Sequence, residues 1–164
     1  MNKRPVAIVT GSFDPITRGH VEIVRRAAAD FDTVYVVALS NLEKIHRFTS
    51  AERREMIRLA TEGIPGVIAD AYEGMTVDYM HAHGITTIVR GVRDEKDRQY
   101  EDYVAARMRE FDPAFETVFV AAAPDLADVS STAVRDAIAA DQPWEHMVPP
   151  AVSAYIHTLL SASK

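Results

Sequence analysis

The apolar residues of this chain follow two rhythms in turn. A β-branched run at 6–10 stops at Gly11, and after a polar stretch the apolar positions return at Val21, Ile23, Val24 and Ala27 with helical spacing. Strand, tight loop and helix make the opening half of a βαβ unit, with the helix ending near Asp30. Residues 33–38 are a nearly continuous apolar run, as expected of a parallel strand covered on both faces. A polar loop over 39–48 leads to Thr49 and Glu52, spaced as a capping box for a helix containing Met56, Ile57, Leu59 and Ala60. Further strands are predicted at 66–69, 86–89 and 116–121. Further helices are predicted from Gly74 through Met80, from about Tyr100, from Ser130, and over 151–160. Met75 is expected in the core of its helix.

With 164 residues, 48% of them hydrophobic, the chain suits one α/β domain spanning 1–164, and no repeat, low-complexity tract or linker divides it. The 18 Lys and Arg against 24 Asp and Glu leave a net charge of -6, so there is no global basic footprint for nucleic acid. An anionic ligand must therefore be met by locally placed cations. Cysteine is absent, which excludes disulfides, thiolate metal sites and cysteine nucleophiles. No apolar stretch approaches the length of a signal-peptide core at the N-terminus or of a membrane span elsewhere, so a cytoplasmic protein is expected.

The candidate chemistry gathers where strands give way to helices. Gly11-Ser12-Phe13-Asp14-Pro15-Ile16-Thr17-Arg18-Gly19-His20 ends at a helix start, where free backbone N–H groups and the positive end of the helix dipole favour anions. Lys44 lies in the loop after the second strand. The fourth strand delivers Arg90-Gly91-Val92-Arg93, whose guanidiniums suit bidentate contact with phosphate. Asp128-Val129-Ser130-Ser131-Thr132 crowds three hydroxyls onto another helix start, more than an N-cap requires. Neither a Gly-x-Gly-x-x-Gly turn nor a phosphate-loop motif occurs, which disfavours dinucleotide oxidoreductases and phosphate-loop NTPases. Lys96 and Arg98 read as solvated charges. His46, His81, His83, His146 and His157 lack metal-ligand spacing and read as structural or solvated.

The unbroken run from Gly11 to His20 resembles the signature of the nucleotidyltransferase superfamily with a (His/Thr)-x-Gly-His motif, most closely the bacterial pantetheine-phosphate adenylyltransferases. Lys44 followed by Phe48-Thr49, the Arg90 to Arg93 stretch with Tyr100-Glu101, and Val129-Ser130-Ser131-Thr132 resemble the same family. The resemblance implies a Rossmann-like, doubly wound, five-stranded parallel sheet. It implies ATP and 4′-phosphopantetheine as substrates, Mg²⁺ as cofactor, no metal ligands of the protein's own and a homohexamer.

By the same resemblance His20, Lys44 and Arg93 are the catalytic residues. Ser12, Phe13, Thr17, His20, Gly91, Val92, Arg93, Glu101, Leu126, Ala127, Asp128, Val129, Ser130, Ser131 and Thr132 are expected to bind ATP. Ser12, Lys44, Thr76 and Arg90 are expected to bind the second substrate. His20 donates to the α-phosphate, Lys44 bridges it to the acceptor phosphate, and Arg93 with the hydroxyls of 130–132 holds the β- and γ-phosphates.

The chain departs from the family pattern at three positions. Arg98 replaces a phenylalanine, Met108 replaces an asparagine on the same helix, and Leu126 stands where an aromatic is common. A related nucleotidyltransferase with another phosphorylated acceptor, such as nicotinamide mononucleotide or glycerol phosphate, and a nucleotide-binding regulator without turnover are the alternative readings.

Overall fold

Apolar runs without polar alternation require cover on both faces, and the computed structural model, which describes residues 2–41 and 43–163, supplies it. Met1, Leu42 and Lys164, which include both ends of the expected domain and one residue of the predicted 39–48 loop, lie outside the described residues. The strands are β1 (Arg4–Gly11), β2 (Phe31–Ser40), β3 (Val67–Glu73), β4 (Thr87–Val92) and β5 (Glu116–Ala121). The helices are α1 (Arg18–Asp30), α2 (Ser50–Ala60), α3 (Thr76–His83), α4 (Glu95–Phe111), α5 (Ser131–Ala139) and α6 (Pro150–Ala162).

All pairings are parallel and the order is β3-β2-β1-β4-β5, a doubly wound sheet as expected. The winding reverses between β1 and β4, so the crevice beyond their C-terminal ends is where such a sheet receives ligands.

Successive side chains of a strand point to opposite faces, and each face has its own core. Ala7, Val9, Val34, Val36, Ala38 and Val89 pack with residues of α1, α2, α5 and α6, including Val24, Met56, Val134 and Ile156. Ile8, Val37 and Ile88 face the other way and pack with Val77, Tyr79 and Met80 of α3 and with Phe115.

Several boundaries differ from expectation for local reasons. β3 continues past residue 69 to Glu73 because its polar end pairs in register with β2, Val37 with Asp70 and Ser40 with Glu73. The Asp70 carboxylate there accepts the Tyr79 hydroxyl at 2.7 Å. β4 reaches Val92, which makes Arg90 and Gly91 ladder residues opposite Phe119 and Val120 and not loop residues. α4 begins at Glu95, well before Tyr100, because the Asp94 side chain caps it by accepting the Asp97 N–H at 2.8 Å. Met75 is 61% exposed, because it is the N-cap of α3 and has not yet turned onto the buried face. Arg98 is exposed, as expected, and its guanidinium also lies 4.0 Å over the Phe119 ring while its Nε donates to Asp102 at 3.3 Å.

Candidate active site

The first loop is held by its own residues. Thr17 caps α1 by accepting the His20 N–H on its hydroxyl at 3.5 Å, and the Thr17 N–H donates back to Nδ1 of His20 at 3.0 Å. A ring nitrogen that accepts a backbone N–H carries no proton, so the neutral imidazole holds its proton on Nε2. Burial, followed by the nearby Arg90 guanidinium, pushes the His20 pKa down to about 4. His20 is therefore a neutral Nε2–H donor at pH 7. Phe13 meets the imidazole edge-on at 5.1 Å and does so from a left-handed backbone, φ 46°, which a bulky residue adopts only under constraint.

Two clefts open on this loop and share Thr10, Gly11, Arg90 and Glu101, the residues at the reversal between β1 and β4. Arg90 and Glu101 form a bidentate pair at 3.0 and 2.9 Å, and Arg90 also donates to the Thr10 carbonyl at 3.2 Å. Glu101 is only 5% exposed and both its oxygens are engaged by Arg90, so what it contributes to the clefts is a fixed guanidinium.

The smaller cleft, about 350 Å³, is lined by the apolar or small residues Ile23, Gly91, Ala122, Ala123, Leu126 and Val129. Thr17, Gly19 and His20 at the start of α1, Ser130 and Ser131 at the start of α5, and Arg93 line it as well. Apolar lining together with two helix N-termini suits a nucleobase with its phosphates. Gly91 makes room for Ile23 in this lining: a Cβ there would come within 2.3 Å of Ile23 Cδ1 and force that side chain to shift.

The larger cleft, about 970 Å³, has both polar and apolar lining. Among its polar residues Lys44 Nζ donates to the Ser12 hydroxyl at 3.2 Å. Met75, Thr76, Val77, Val104 and Met108 also line it, so the departure at Met108 contributes an apolar surface.

Most of the expected site residues thus line one cleft or both. Val92, Ala127, Asp128 and Thr132 line neither. Of the three hydroxyls of 130–132, Ser131 spends its proton on the Pro15 carbonyl at 2.7 Å and ties α5 to the first loop, while Ser130 accepts the Ala133 N–H at 3.0 Å and Thr132 accepts from Arg135 at 3.2 Å. Accepting leaves the Ser130 and Thr132 hydroxyl protons unspent. The donors that this helix start offers the smaller cleft are its first backbone N–H groups and the Ser130 hydroxyl.

Sequence reasoning missed the network behind the loops. The Asp14 carboxylate accepts the Arg47 and Phe48 N–H groups at 2.8 and 2.9 Å, while Arg135 donates to the Asp14 carbonyl at 2.9 Å. Arg53, just 1% exposed, lies beneath the same loops. Its only sequence signal is a charge at an inward position of an otherwise apolar helix stripe.

This fold and site define a nucleotidyltransferase, and the chain belongs to the cytidylyltransferase-like family, whose model matches residues 8–137. It is similar in particular to the phosphopantetheine adenylyltransferase of Symbiobacterium thermophilum (strain DSM 24528 / JCM 14929 / IAM 14863 / T). The two are 42% identical over 144 residues, covering 88% of this chain and 89% of the relative.

Proposed function

We propose that this chain, as a single nucleotidyltransferase domain, transfers the adenylyl group of ATP to the phosphate of 4′-phosphopantetheine, giving dephospho-CoA and pyrophosphate. The observation that carries this reading is the meeting of two clefts over Arg90 and Glu101, one lined by two helix starts, His20 and Arg93, and one lined by Lys44 together with Met75, Val77, Val104 and Met108. The similarity to the Symbiobacterium enzyme supports the same reaction.

An acceptor phosphate oxygen forms the new bond to the α-phosphorus as the α–β bridging bond breaks, and the electron pair leaves with pyrophosphate. No protein nucleophile is needed, because positioning and charge stabilisation supply the catalysis. His20 donates its Nε2 proton in a hydrogen bond to the α-phosphate, and Lys44 joins that phosphate to the acceptor. Arg93 and the N–H groups at the starts of α1 and α5 hold the β- and γ-phosphates.

Among the described residues no cluster of three or more acidic, histidine or cysteine side chains could hold a metal ion. Mg²⁺ commonly binds through substrate phosphates and water with one or two carboxylates. A site of cations and amides fits an ion carried in on ATP. Of the two carboxylates lining the smaller cleft, Glu101 is committed to Arg90 through both oxygens, whereas Asp97 accepts the Arg93 N–H on Oδ2 at 3.0 Å and would hold the ion through its other oxygen. When bound, Mg²⁺ supplies charge that neutralises the departing pyrophosphate.

We further infer a cytoplasmic homohexamer. The substrates are those of cytoplasmic metabolism, and among the described residues no helix is long and apolar enough to cross a membrane. The exposed Met75, Tyr100, Tyr103 and Phe111 offer apolar surface for subunit contact, and sedimentation equilibrium measures the state.

Pyrophosphate release from Mg²⁺ and ATP, with and without 4′-phosphopantetheine, tests the reaction. Release that depends on this acceptor is the expected result. Release only with nicotinamide mononucleotide or glycerol 3-phosphate overturns the acceptor, and ATP binding without release under any condition overturns the transfer itself.

A further inference from the structure

The buried stripe of α2 consists of Arg53, Met56, Ile57 and Ala60. A methionine or leucine at position 53 would complete it, whereas a buried guanidinium is costly unless all its donors are met. Here they are. Nε donates to the Phe48 carbonyl at 3.1 Å. One terminal nitrogen donates to the Ser12 and Leu39 carbonyls at 2.9 and 3.1 Å, and the other to the Ser40 and Ser50 hydroxyls at 2.5 and 3.4 Å. Packing alone gives no reason to place such a fork on this helix.

What the fork joins is informative. Ser12 belongs to the first loop and accepts Lys44 Nζ on its hydroxyl, while Phe48 closes the loop that carries Lys44. The Lys44 loop is gripped from two sides, its N–H groups by the Asp14 carboxylate and its Phe48 carbonyl by Arg53. Arg53 itself lines neither cleft.

We propose that Arg53 is a positioning residue of the transfer reaction: it touches neither substrate and locks the Ser12 loop to the Lys44 loop, so that the lysine amine meets the reacting phosphates. This inference rests on the adenylyl-transfer reading above. Its action runs through Lys44, so its loss and the loss of Lys44 are not independent.

The test is a double-mutant cycle of Arg53→Met with Lys44→Ala, read by pyrophosphate release on proteins whose folding is verified by circular dichroism. Arg53→Met keeps the apolar stripe filled. Arg53→Lys, which keeps the charge without the fork, repeats the cycle if the methionine variant does not fold. Misplacing a reacting group by about an ångström costs roughly 10²-fold, so kcat of the Arg53 variant should fall about 30- to 100-fold with the ATP KM nearly unchanged. In the Lys44→Ala background the same change should cost no more than about threefold.

Equal losses in both backgrounds, or an unchanged kcat in a folded Arg53 variant, overturn the proposal. If the wild-type chain shows no acceptor-dependent release, the functional reading fails on its own account. The coupling is then read by amide hydrogen exchange at residues 43–48. Exchange there should accelerate about tenfold or more in the Arg53 variants, with β1 and β2 unchanged, and an unchanged loop rejects the coupling.

Discussion

The backbone N–H of Thr17 donates to Nδ1 of His20 at 3.0 Å, and this one bond assigns the imidazole its tautomer. His20 offers Nε2–H as a neutral donor, and its pKa, lowered by burial and by Arg90, should appear as an NMR titration midpoint near 4. The kinetic profile should show no loss attributable to His20 at pH 6.5. His20→Ala should fold and lose about 10²–10³-fold in kcat, the usual cost of one transition-state donor. The linkage to stability has a definite sign. A histidine with a depressed folded pKa favours folding fully above about 6.5, and that contribution is lost as pH falls through about 4. Urea melts across this interval should therefore show the wild type losing a few kcal/mol more than His20→Asn; parallel losses would falsify the buried neutral assignment.

The Arg90–Glu101 pair predicts an asymmetry. Glu101 is 7% exposed and Arg90 33% at the side chain, so removing the arginine strands a buried carboxylate, while removing the glutamate leaves a guanidinium that can reach water. Arg90→Ala should be the more destabilising at pH 8, by about 2 kcal/mol, or roughly 4–8 °C in Tm. The gap should narrow at pH 5, where a stranded carboxyl can protonate. Thermal melts of the two variants at both pH values measure it.

Gly91 predicts a shape effect confined to the nucleotide. Gly91→Ala would put a Cβ against Ile23 Cδ1 and displace the isoleucine from its place in the lining of the smaller cleft. The ATP KM should rise roughly tenfold, the order of one misplaced methyl group in a pocket, with the acceptor KM little changed. Ile23→Val in the same protein should restore part of the loss in a steady-state assay.

Elements whose cause is local were legible in the chain. The β-branched runs at 6–10 and 33–38 became β1 and β2, the run at 116–121 became β5, and the Thr49–Glu52 capping box closes as expected, at 2.8 and 3.1 Å. Elements shaped by a neighbour were not. Asp70 and Glu73 bracket only Ala71 and Tyr72, too short an apolar signal to read as strand, and the segment is strand because β2 pairs with it, while Met75 is exposed because a helix starts there. That Ser131 donates to the Pro15 carbonyl, far away in the chain, is visible only in three dimensions.

By itself the sequence determined the alternation of strand and helix and the polar loops at strand ends, since periodicity and capping are read over a few adjacent residues. It also determined the run from Gly11 to His20, which identifies the family through side chains that must lie together at one turn. Only the tertiary structure decided which of those groups remain free to meet a ligand. Arg90 is fixed by Glu101, Lys44 is brought to Ser12, and both loops are tied by Arg53, through contacts between residues far apart in the chain. Burial then sets the charge of His20, because desolvation depends on everything packed around the ring and not on its neighbours in sequence.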